Sequence, residues 1–168
     1  MGAQLKSETQ DQTLVLTLSN PGMRNALGPE IYSAGIEALG AAETNPAVRS
    51  VVITGEGGTF SAGGNLHRLL ANREQDPSVQ AASIEGLHNW METIRTYPKP
   101  VIAAVEGAAA GAGFSLALMC DFVVAARDSF FVMAYSNIAL SPDGGGSWNL
   151  ARSLPRPIAN EILMLGER

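Results

Sequence analysis

Two stretches of small residues in this chain could present backbone N–H groups to a developing negative charge. The first is Ile53–Thr54–Gly55–Glu56–Gly57–Gly58–Thr59–Phe60–Ser61–Ala62–Gly63–Gly64–Asn65–Leu66. The second is Val105–Glu106–Gly107–Ala108–Ala109–Ala110–Gly111–Ala112–Gly113–Phe114. Small residues let a ligand approach the main chain closely, and glycine admits dihedrals closed to other residues. The start of a following helix adds unpaired N–H donors and the positive end of a dipole. Two such junctions side by side could aim two N–H groups at one oxygen, which is the requirement for stabilising an oxyanion. The same glycines also serve tight helix–strand packing without chemistry.

The titratable candidates are few. Asp143 stands in Pro142–Asp143–Gly144–Gly145–Gly146, just ahead of a helical segment. There it could cap the helix, or carry a proton as a general base. His88 lies beside Leu87 and one position from the face formed by Ile84 and Met91, where a surface histidine is the competing reading. His67 follows the first loop as a polar helix residue. Cys120 sits in the apolar run Leu116–Ala117–Leu118–Met119–Cys120 and reads as buried packing rather than a nucleophile. The spacing Gly107-x-x-x-Gly111-x-Gly113 does not match a dinucleotide fingerprint, and no P-loop lysine is present. Ser115, in Gly113–Phe114–Ser115–Leu116–Ala117, lacks the second glycine of a nucleophile elbow.

Strands and helices must hold these groups in place. Thr13 to Leu18 alternates β-branched residues with leucine and reads as a strand after a turn near Asp11. Pro29 to Ala42 reads as a helix with Ile31, Ala34, Leu39 and Ala42 near one face. Ser50–Thr54 and Val101–Val105 are strand candidates, the first continuous enough to be covered on both faces. A helix is expected from Leu66, then a polar, mobile-looking segment from Asn72 to Ser78. Ile84, Leu87, Met91 and Ile94 recur at helical spacing until Pro98 and Pro100. An apolar helix should run from the second loop through Met119. Phe122–Ala126 and Phe130–Met133 read as short strands, and helices follow near Trp148–Arg152 and over Ile158–Leu165. Strands alternating with helices predict an α/β fold with much parallel pairing.

Length and composition fit this picture. The chain has 168 residues, 46% of them apolar, with a formal net charge of −5. That length suits one domain with a real hydrophobic core. The acidic balance and the lack of a Lys/Arg run argue against a nucleic-acid partner. The longest apolar stretch, around Val101 to Ala110, is broken by Glu106 and Gly107 and is too short to span a bilayer. The polar N-terminus is unlike a secretory signal, and a single cysteine forms no internal disulfide. A cytoplasmic protein with no membrane partner is expected.

Together the two loops resemble the crotonase (enoyl-CoA hydratase/isomerase) family. The resemblance starts at Asn20–Pro21 and Arg24–Asn25–Ala26–Leu27 and runs through Phe60–Ser61–Ala62–Gly63–Gly64–Asn65–Leu66. It continues along Pro100–Val101–Ile102–Ala103–Ala104–Val105–Glu106–Gly107, Cys120–Asp121 and Ser141–Pro142–Asp143–Gly144–Gly145–Gly146. It implies a ClpP/crotonase-like spiral of ββα units as one core domain over 1–168. It also implies an acyl-CoA thioester substrate, no prosthetic group and no metal. Family members commonly assemble as homotrimers or dimers of trimers through C-terminal helices beyond the point where this sequence stops, so that region is expected to be missing.

By the same resemblance the oxyanion donors are the main-chain N–H groups of Ala62 and Ala112. Coenzyme A would cross the Arg24–Asn25–Ala26 turn and the Ser61–Ala62–Gly63–Gly64–Asn65–Leu66 loop, with Arg24 meeting a phosphate or solvent. The two positions that carry glutamates in hydratases of the family are Ser115 and Tyr135, and neither is a carboxylate. The implied activity is therefore isomerisation of an unsaturated or cyclic acyl-CoA, with Asp143 as proton shuttle and Tyr135 or His88 assisting. The alternatives are an enoyl-CoA hydratase, an aryl-CoA dehalogenase-like hydrolase using Asp143 and His88, and a non-catalytic CoA-binding member. A serine peptidase on the related Clp fold is a further rival. The acyl pocket is expected to draw on Leu66, Leu87, Met91, Met133, Tyr135 and Trp148.

Overall fold

The computed structural model describes residues 2–167. Strand β2 (Thr13–Ser19) buries Leu14, Leu16 and Leu18 and leaves Thr13, Val15 and Thr17 half-buried. It is preceded by β1 (Gln4–Gln10), which pairs antiparallel to it with Gln10 opposite Thr13. The turn between them uses Asp11 in the left-handed region (φ 53°), a conformation that aspartate tolerates. β1 has no strand signature in its sequence because it lies on the sheet edge, where only Leu5 is partly covered. Its charged residues Lys6 and Glu8 suit an edge that must not pair with another chain.

The sheet continues in parallel through β3 (Ser50–Gly55), β4 (Val101–Val105) and β6 (Phe122–Ala125), in the order β1-β2-β3-β4-β6. Parallel neighbours need crossovers, and helices supply them here. They are α1 (Pro29–Glu43), the pair α2 (Leu66–Asn72) and α3 (Pro77–Arg95), and α4 (Ala112–Met119). A short second layer pairs β5 (Ala108–Ala110) with β7 (Phe130–Val132) in parallel, and α5 (Gly146–Ser153) and α6 (Arg156–Leu165) complete the described chain.

The β3 run was expected to be covered on both faces. Instead Val51 and Ile53 are fully buried while Val52 and Thr54 are half-buried. The β-branched run thus reflects strand propensity, with one face fully packed. That face joins α1 and α3 in a core of Ile31, Leu39, Trp90, Met91 and Ile94. On α1 the buried positions are Ile31, Tyr32, Gly35, Leu39 and Ala42. Gly35 is glycine because a Cβ there would collide with the Trp90 ring. Between α2 and α3, the segment expected to be mobile is a capped turn: Asp76 accepts from Ser78 N at 2.9 Å, and α3 begins at Pro77. The far strand, β6, leaves Phe122 and Val124 exposed.

Candidate active site

The two glycine-rich junctions meet because buried polar side chains tie their backbones together. The chain turns at Arg24 and Asn25, both left-handed (φ 50° and 55°). Asn25 is fully buried, and its side chain is spent on three backbone groups. It accepts from Asn20 N at 2.9 Å and donates to Glu56 O at 2.8 Å and Thr59 O at 2.7 Å. Ser61, also fully buried, donates to Asn25 O at 2.8 Å and accepts from Gly63 N at 3.1 Å. The first junction is then stitched to the second: Ser61 N donates to Ala108 O at 3.0 Å, and Ala110 N donates to Ser61 O at 2.9 Å. The side chains of Asn25 and Ser61 therefore build the site from beneath. Buried polar groups need partners, and the backbone supplies them here.

The pairings also decide which N–H groups are free. Ala62 was expected to be one of two oxyanion donors, but its N–H donates to Arg24 O at 2.9 Å. Gly64 is the alternative that this geometry offers. Its N–H makes no hydrogen bond among the described residues, and it borders the main cavity. Ala112 was the other expected donor. It is the first residue of α4, where an N–H has no intrahelical acceptor, and it borders the same cavity. Gly63, at φ 91°, brings the junctions together, since a Cβ there would lie 2.6 Å from Ala110 O and 3.1 Å from Ala112 N.

The cavity holds about 480 Å³ and its wall is largely apolar, with Leu27, Leu66, Leu69, Ile84 and Leu87 among its residues. Asp143 is the one carboxylate in that wall among the described residues. It is not a helix cap: α5 starts at Gly146 after Gly145, and no side chain caps it. Instead its carboxylate accepts a short hydrogen bond from the Tyr135 phenol, and its carbonyl accepts from Ser115 Oγ at 2.9 Å. Tyr135 and Ser115 thus both converge on Asp143. Burial, then the Asp143 charge and the hydrogen bond to it, push the Tyr135 phenol well above the ordinary tyrosine range. Tyr135 therefore stays protonated and acts as a donor.

Other expected residues stand elsewhere. His88 is exposed on α3 and is not part of the cavity wall. Successive helix positions turn by about 100°, so Leu87 and Met91 face inward while His88 points away. His67 is exposed as well, and Ser115 Oγ is bonded to Asp143 O, so no Ser/His pair forms. Met91 and Met133 are core residues. Trp148 is half exposed, with the Arg152 guanidinium 4.5 Å from its ring centre. Of the expected acyl pocket, Leu66, Leu87 and Tyr135 remain in the wall. Cys120 is buried as expected, and burial followed by the Asp121 charge pushes its thiol up to about 12.

A second cavity of about 320 Å³ adjoins the first and shares Leu27, Gly28, Asn65 and Arg68 with it. Ala26 borders this second space, while exposed Arg24 borders neither cavity. Asn65 caps α2 by accepting from Arg68 N at 3.1 Å. Tyr32 of α1 lines the main cavity too, a role that no local pattern in the sequence marks.

A family model described as enoyl-CoA hydratase/isomerase matches residues 8–168. The 1,2-epoxyphenylacetyl-CoA isomerase of Escherichia coli (strain K12) is 38% identical over 167 residues, covering 96% of this chain and 62% of that protein. The 2,3-dehydroadipyl-CoA hydratase of the same organism is 34% identical over 158 residues, covering 94% of this chain and 60% of that one. The crystal structure of an enoyl-CoA hydratase from Polaromonas sp. JS666 superposes with a TM-score of 0.97 at 74% identity, covering 98% of this chain and 64% of that chain. The chain spans less than two thirds of the length of each of these relatives.

Proposed function

The chain belongs to the enoyl-CoA hydratase/isomerase family, and on that premise we propose that it isomerises an unsaturated or cyclic acyl-CoA. The thioester oxygen sits between the N–H groups of Gly64 and Ala112. Removal of a proton next to the carbonyl builds enolate charge on that oxygen, and fixed donors stabilise it without reorganising. Asp143 takes the proton from one carbon and returns it to another. Tyr135 aims the carboxylate, and Ser115 holds its backbone. The coenzyme A portion runs toward the second cavity, past the Arg24–Asn25–Ala26 turn and the Ser61–Leu66 loop.

The observation that carries this reading is the lone carboxylate in the cavity wall. Hydration of a double bond needs one group to activate water and another to protonate carbon. A 1,3-proton shift needs one base that moves a proton along one face. A dehalogenase-like route through His88 has no support from its exposed position on α3.

The test pairs crotonyl-CoA with a panel of β,γ-unsaturated and cyclic acyl-CoAs, using the wild type and Asp143→Asn. Turnover of an isomerisable substrate without crotonyl-CoA hydration is expected. In the variant, turnover should fall by about 10²–10⁴ while acyl-CoA binding persists. Full activity in Asp143→Asn, or robust hydration of crotonyl-CoA by the wild type, would overturn the reading. Binding without any turnover would make the chain a silent CoA binder.

A further inference from the structure

We propose that Tyr32 and Arg68 form a subsite for an oxygen acceptor carried on the acyl group, so that the substrate is an oxygenated acyl-CoA rather than a plain hydrocarbon one. The proposal rests on the acyl-CoA reading above and concerns the wall formed by α1, α2 and α3.

Tyr32 is 6% exposed and lines the main cavity, yet its hydroxyl makes no hydrogen bond among the described residues. The hydroxyl itself is not enclosed, since the one fully buried side-chain N or O atom without a partner among the described residues is Trp90 Nε1. The Tyr32 hydroxyl therefore opens to the cavity, where a ligand can reach it. The ring is accounted for by its packing beside Trp90, with centroids 6.0 Å apart, so the hydroxyl is what remains unexplained. Burial, then the Asp143 charge, push this phenol up to about 12, so it is a donor throughout the neutral range.

Arg68 stands in the same wall. Its Nη2 donates to Ser83 Oγ at 3.3 Å, and its Nη1 lies 3.6 Å from the mostly exposed carboxylate of Glu30. A guanidinium carries five N–H donors, and these contacts occupy few of them. Its charge is also felt by the Tyr32 phenol. Both groups donate, so the ligand atom they suit is an acceptor. A hydrocarbon chain would fill the apolar part of the cavity and offer neither group an acceptor. Sites built to hydrogen-bond a substrate oxygen discriminate strongly against the analogue that lacks it.

The test uses three non-reactive thioether analogues of acyl-CoA with equal chain length: plain hydrocarbon, keto-bearing and ending in a carboxylate. The oxygenated analogues should bind about ten- to a hundredfold more tightly to the wild type. Tyr32→Phe should erase that preference without lowering the thermal midpoint, since the hydroxyl has no protein partner to lose. Arg68→Gln should weaken the carboxylate analogue more than the keto one if the natural acceptor is anionic, and both alike if it is neutral. Equal affinity for the three analogues, or a Tyr32→Phe variant that keeps the preference, would overturn the proposal. Equal weakening of all three by Arg68→Gln would assign Arg68 to the coenzyme and remove it from the subsite. Binding of none would overturn the acyl-CoA reading and this subsite with it.

Discussion

The phenol of Tyr135 donates a hydrogen bond to a carboxylate oxygen of Asp143, and that bond gives the carboxylate its direction at the cavity wall. A carboxylate on a glycine-rich loop has no rigid element of its own to aim it. Tyr135 supplies the aim, and Ser115, on the buried helix α4, supplies the anchor for the backbone.

Tyr135→Phe keeps the ring and removes that bond. Because the bond is charge-assisted, kcat on the isomerised substrate should fall by about ten- to a hundredfold. KM should change little, because the phenol faces Asp143 rather than the thioester. A loss confined to KM would place Tyr135 in substrate binding instead.

Asn25→Ala would leave Asn20 N, Glu56 O and Thr59 O without the partner that the fully buried Asn25 side chain supplies. The expected loss of folding stability is about 3 kcal/mol, read from urea midpoints at constant m. Asn25→Asp should recover only part of it, because a carboxylate can accept from Asn20 N but cannot donate to two carbonyls. An unchanged midpoint in Asn25→Ala would show that the loop is held by other means.

Gly63→Ala tests whether the approach of the two junctions matters for catalysis. The residue is left-handed at φ 91°, and the new Cβ would fall 2.6 Å from Ala110 O. The junctions must then part, which separates Gly64 from Ala112. Turnover should fall by about 10²-fold or more, the scale of losing one oxyanion donor. Circular dichroism should report a folded protein, so a variant with full turnover would contradict the proposed donor pair.

Alkaline stability follows from groups the core keeps neutral. Burial raises the Cys120 thiol from 9.0 to about 12 and the Tyr32 phenol from 10.0 to about 12, with neighbouring acids adding to both. In the unfolded chain each ionises near its ordinary value, so above about pH 9 the unfolded state binds fewer protons than the folded one. The stability these groups confer is complete below that pH and is lost as the pH rises toward about 12. Urea midpoints should fall progressively from pH 9 to 11, and Cys120→Ala should flatten the first part of the decline. A level profile in the wild type would contradict the burial argument.

Much of the frame was legible in the residues themselves. The alternation in Thr13–Leu18 and the spacing of Leu87, Met91 and Ile94 each encode one element and its buried face, while the β-branched run at Ser50–Thr54 encodes a strand but not which face is packed. These are local patterns, set by residues a few positions apart, and they survive folding unchanged. β1 escaped notice because an exposed edge strand needs no apolar alternation. The glycine-rich junctions and the acid in Pro142–Asp143–Gly144 stand out as chemical features of the chain itself, whereas Ala112 was singled out only through the family resemblance.

Tertiary structure decided what distant segments do to one another. Whether Ala62 or Gly64 has a free N–H depends on Arg24 O, far back in the sequence, which takes the first of them. The exposure of His88, the spending of Asn25 on backbone and the unpartnered hydroxyl of Tyr32 are likewise outcomes of packing. A sequence shows which groups can donate or accept. Only the folded chain shows which of them have already found a partner, because hydrogen bonds are short and directional and the partners come together only when the strands close.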